Sequence, residues 1–106
     1  MDKDLTITRG DTFAFEVEFE NLTEPLSSAY FACRNIRDEQ AIFFKTIGDG
    51  IELVSTEPTT YKVRVAPEDT IDVKPGRYCY DFEVGLGEDI WTLLKGHFYI
   101  ESDVTY

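Results

Sequence analysis

His97 is the single histidine of a 106-residue chain that also carries two cysteines, Cys33 and Cys79, and 21 aspartates and glutamates. A thiol or hydroxyl nucleophile needs a base within hydrogen-bond reach. Any Cys/His or Ser/His system must therefore be built on His97, with Cys79 or a serine brought alongside by the fold. A zinc site made of Cys and His pairs fails on numbers, since there is one histidine and the cysteines are far apart in sequence. With so many acids, some pair at glycosidase separation always exists, but here they alternate with apolar residues, the pattern of a solvated sheet face. Asp49, Glu52 and Glu57 offer calcium ligands, yet no Asp-x-Asp-x-Asp-Gly loop is present and a solvated turn is the simpler reading. No catalytic residue, metal ligand or cofactor is assigned.

Arg9-Gly10-Asp11 is the tripeptide that integrin ligands display. Here it joins two strands through only three or four residues, whereas adhesion needs an extended loop tip. Gly10 supplies a positive φ, and the Asp11 carboxylate can accept a backbone N–H beyond the bend, so a structural turn accounts for all three residues.

These residues must be positioned by something, and the chain is long enough to bury a core as one domain, residues 1–106. Its hydrophobic share of 42% and its eight Phe and six Tyr are too rich for a disordered tail. A net charge of −11 repels the phosphates and anionic headgroups that nucleic-acid and membrane binders attract, so neither partner is expected. The opening "MDKDLTITRG" has no apolar run of signal-peptide type, and nothing approaches a membrane span. Use without Sec export is expected, and with it two free thiols. Parity points the same way: Cys33 shares the inward phase of Phe31, while Cys79 lies out of phase with Tyr78 and Tyr80.

Period two dominates. In "TFAFEVEFE" Phe13, Phe15, Val17 and Phe19 take one face and Glu16, Glu18 and Glu20 the other. "TTYKVRV" places Tyr61, Val63 and Val65 inward, and "GRYCYDFEV" does so for Tyr78, Tyr80, Phe82 and Val84. Further strands read at 5–8, 28–35, 41–46, 51–54 and 89–101. Turn chemistry separates them at Arg9-Gly10-Asp11, 21–27, 36–40, 48–50, 55–58, 74–76 and 85–88. Only "APEDTIDV" invites a helical turn, near 67–71, with Pro67 in its first turn. Seven or eight short strands predict an all-β, immunoglobulin-like antiparallel β-sandwich.

The last strand carries the one binding clue. With Phe98 and Ile100 inward, unbroken parity sends Ile90, Leu94 and Gly96 inward and leaves Trp91, Leu93, His97 and Tyr99 outside. A row with Trp91, Leu93 and Tyr99 exposed reads as a partner surface. The alternative is a bulge near Lys95-Gly96 that turns Trp91 and Leu93 into the core.

"TRGDTFAFEVEF", "LVSTEPTTYKVRVAPEDTIDVKPGRYCYDFEV" and "DIWTLLKGHFYIESDVT", in that order and from about Thr8 to Thr105, resemble the amino-terminal immunoglobulin-like domain of siphophage baseplate upper proteins. Related small tail-associated proteins of Gram-positive phages and prophages share the pattern. The resemblance implies a non-enzymatic tail or baseplate docking module in the virion, made in the bacterial host cytoplasm. Its partners are then other tail proteins or copies of itself. Longer members continue into a helical linker and a region that carries receptor-binding proteins; this sequence stops after the last strand, so that carrier role is not expected. The competing reading is a carbohydrate- or receptor-binding β-sandwich, in which exposed aromatics stack on sugars.

Overall fold

The computed structural model describes residues 3–20, 22 and 24–102. Asn21 and Thr23 of the 21–27 turn, and residues 103–105 of the closing motif, lie outside that description. Eight strands and one helical turn follow in order: β1 (Leu5–Thr8), β2 (Phe13–Phe19), β3 (Ser28–Arg34), β4 (Ala41–Ile47), β5 (Gly50–Thr56), β6 (Thr59–Val65), α1 (Pro67–Thr70), β7 (Gly76–Leu86) and β8 (Asp89–Glu101). Every predicted strand forms, with its ends within two residues of the expected ones.

The strands hydrogen-bond in the order β1-β8-β7-β3-β4-β5-β6-β2. The link between β4 and β5 is only two residue pairs, Thr46 with Gly50 and Ile47 with Ile51. There the chain bends, so that β5-β6-β2 lies across the inner face of β1-β8-β7-β3-β4. Ring contacts span the two layers: Phe15 lies 5.6 Å from Phe31 and 6.2 Å from Phe82, and Phe13 lies 6.3 Å from Phe98. The sheet is mixed rather than wholly antiparallel. β1 runs parallel to β8, and β4 parallel to β5. In both places the chain changes layers without first reversing in a hairpin, through Arg9–Asp11 and through the Gly48–Gly50 corner.

Period two is realised as burial. Tyr61, Val63 and Val65, and likewise Tyr80, Phe82 and Val84, are buried. β2 alternates half-buried aromatics and valine with exposed Ala14, Glu16 and Glu18. Phe31, Phe82 and Phe98 meet at the centre, edge to face, around fully buried Ile51 and Cys33.

Candidate functional site

β7 and β8 pair antiparallel with Cys79 directly opposite His97, so the fold does bring the single histidine beside a thiol. Asp4 completes the row: its Oδ1 accepts the His97 backbone N–H at 3.0 Å and lies 3.8 Å from Nδ1. Arg34 of β3 is opposite Cys79, and Lys95 of β8 is opposite Asp81. Together they line an open groove of about 660 Å³ on the outer face of the larger layer.

The chemistry there is not that of an activated nucleophile. The Cys79 thiol donates to the Arg34 carbonyl at 3.6 Å. Burial holds its pKa above the ordinary value, and Asp81 and Glu39 push the same way against the lowering influence of Arg34. A reactive thiol needs the opposite balance. His97 and Asp4 have side chains 47% and 57% exposed, so water screens their pairing. Cys33, on the inner face, is pushed up to about 12, first by burial and then by Cys79. Both thiols are free. Among the described residues no group of three or more His, Cys, Asp and Glu could hold a metal ion.

Arg9-Gly10-Asp11 is a tight turn lashed to α1. Gly10 has φ +82° and donates its N–H to the Thr70 hydroxyl at 2.9 Å, a side chain with no exposed surface. Arg9 N–H donates to the Glu101 carbonyl and Asp11 N–H to the Thr8 carbonyl, so the main chain closes the bend. A Cβ on Gly10 would sit 2.9 Å from Ile71 Cδ1. The other partner of the latch is Asp69. Its Oδ2 accepts the Ala66 N–H at 2.7 Å, in return for the Asp69 N–H donated to the Ala66 carbonyl. The same oxygen meets Lys45 Nζ of β4 at 2.6 Å, with both side chains largely buried. The two sequence signatures, "TRGDT" and "PEDT", are therefore two halves of one joint.

The row Trp91, Leu93, Tyr99 is not brought together. β8 carries its bulge at Leu93: Phe82 pairs with Leu94, and Glu83 already pairs with Thr92. The break lies two residues before Lys95-Gly96 and reverses the phase of everything ahead of it. Trp91 pairs with Val84 and so shares the inner face, but at the sheet end, where it stays 49% exposed. Leu93 is half-buried against the core. Tyr99 keeps the outer face beside His97, with ring centroids 6.0 Å apart. Ile90, expected inside, becomes the most exposed large apolar side chain described, at 69%.

No family model matches this sequence, and no curated protein matches it. Among solved structures the fold is similar to CopC from Methylosinus trichosporium OB3b, with TM-score 0.56 and 12% identity over 97% of this chain and 88% of that one. It also aligns with the extracellular domain of the voltage-gated sodium channel β4 subunit, at TM-score 0.46 and 9% identity over 97% and 93% of the two chains. A third alignment, to the ZIG-8–RIG-5 IG1-IG1 heterodimer, has TM-score 0.46 and 9% identity over 94% and 82%. Identities this low speak to fold alone, and the last two alignments are too loose to argue from. The chain is an all-β sandwich of two packed layers.

Sequence reasoning missed the aromatic ledge beside the groove. Phe44 is 52% exposed and stacks on Tyr30 with ring centroids 5.5 Å apart. The Arg34 guanidinium lies 5.9 Å above the Tyr30 ring, and its Nε is 3.5 Å from Asp81 Oδ1. That carboxylate oxygen is shielded from water yet lacks a hydrogen-bond partner. The signal was hidden in "SAYFACR" and "AIFFKTI", whose apolar runs show no alternation because both faces of these strands carry apolar residues. Ala32, on the outer face opposite Phe44, is fully buried.

Proposed function

We propose that this chain is a non-enzymatic docking module of a phage or prophage tail or baseplate, and that it meets its neighbours through the outer face of β4-β3-β7-β8. The observation that carries the docking role is the half-exposed Phe44–Tyr30 stack bordered by the Arg34–Asp81 ion pair. An apolar aromatic anchor bordered by charge is the composition of an interface centre. The assignment to a tail rests on the order of the "TRGDT", "PEDT" and closing-strand motifs. Mass spectrometry of particles purified from the strain that encodes the chain tests it: the chain co-purifies with tail proteins at fixed stoichiometry. Its absence from such particles, with the protein abundant in the lysate, overturns the assignment.

A further inference from the structure

We propose a second binding site, independent of that face: the open edge of β2 accepts an extended strand from a partner protein, one that alternates apolar residues with lysine or arginine. β2 ends the strand order, so among the described residues one of its two main-chain edges has no ladder partner. Exposed edges are normally blunted, and the others here are. β4 and β5, open along most of their length, carry bulges at Ile42 and Val54, and β1 is four residues long. The ladder of β2 to β6 instead runs unbroken from Phe13 opposite Val65 to Phe19 opposite Thr59. Seven residues in regular register are a template that a bulged edge cannot offer.

The side chains specify what would fit. Phe13, Phe15, Val17 and Phe19 are all half-buried, whereas Tyr61, Val63 and Val65 beside them on β6 are buried. Apolar residues at alternate positions of an added strand would complete the burial of that lip. The outward row is Ala14, Glu16 and Glu18, all exposed. Cross-strand pairing sets the charge of the partner: on the β6 side Glu16 already faces Lys62, and on the open side both glutamates favour a cation and oppose an acid. A second copy of this chain would lay glutamate against glutamate between molecules of net charge −11, so the occupant is a different, basic strand.

Hydrogen exchange on the full chain tests this, using a capped seven-residue peptide that alternates valine and lysine. At millimolar peptide the β2 amides that do not donate to β6 slow by about tenfold, as newly bonded edge amides should. A valine–glutamate peptide binds about tenfold more weakly, and a scrambled valine–lysine peptide leaves exchange unchanged. The doubly substituted Glu16→Lys, Glu18→Lys chain, checked for an unaltered melting curve, reverses the preference. Phe44→Asp leaves peptide binding as it was. No slowing, equal slowing by both charge types, or slowing confined to β4 and β5 each overturns the proposal.

Discussion

The Gly10–Thr70 bond ties the two signature motifs together, and it is a strong constraint because the Thr70 hydroxyl is fully buried and the Gly10 N–H partly so. Thr70→Val keeps the shape and removes the acceptor, which strands a part-buried N–H at a cost of about 1 to 3 kcal/mol. Chemical denaturation checks this, and an unchanged midpoint would show that the latch contributes nothing. Cys33 gives a pH signature. Its folded pKa lies near 12 against an ordinary 9.0, so the thiol is neutral in both states below pH 9 and no stability is lost there. Above pH 9 the unfolded chain ionises while the folded one resists, and stability falls by about 1.4 kcal/mol per pH unit until the folded value is reached. Between pH 9 and 11 a Cys33→Ala chain should therefore show a shallower decline than the parent. Parallel declines would contradict the burial of that thiol. The turn role of Gly10 was legible from residue type alone. Its partner was not, since nothing local in the sequence pairs Gly10 with a threonine sixty residues on.

Strand identity was readable wherever one face is wet and the other dry, as in β2, β6 and β7. In β8 the strand was readable to the residue but the facing of its first half was not, because a bulge is a property of the pairing and leaves no mark on a single strand's alternation. Unbroken parity predicted an outer row of Trp91, Leu93 and Tyr99; one extra residue at Leu93 scattered it over two faces and an edge. The energetic consequence is testable. Trp91, half-exposed at the sheet end, should cost only about 1 kcal/mol of stability on change to serine, while Phe98→Ala, with no exposed surface, should cost about 3 to 5 kcal/mol. Equal losses in thermal melts would place Trp91 in the core after all. The Gly48–Gly50 corner was visible as "GDG", but its role of carrying the chain between layers without reversal is a fact of topology.

The charge of the whole molecule is unevenly spread. On the smaller layer's outer face Glu16, Glu18 and Glu52 stand with Lys62 and Arg64; on the larger layer's, Asp4, Asp81, Glu83 and Glu101 stand with Arg34, Arg77 and Lys95. Half of the ten bases thus stand on the two broad faces, so most of the net −11 resides in edges, turns and ends of a body 49 × 28 × 21 Å. A partner that approaches a broad face therefore meets a weaker negative field than one that approaches an edge or an end. An aromatic anchor on such a face is where desolvation outweighs repulsion, which makes Phe44 the decisive position. Replacing an interface anchor costs about 2 kcal/mol or more of binding, whereas truncating a half-exposed surface ring costs little folding stability. The direct measurement is the copy number of Phe44→Asp chain per purified particle, relative to the parent, with melting recorded on the same preparations. An unchanged melting curve and near-complete loss from particles are expected; a variant that melts normally and is incorporated at the parent's level would rule out Phe44 as the anchor.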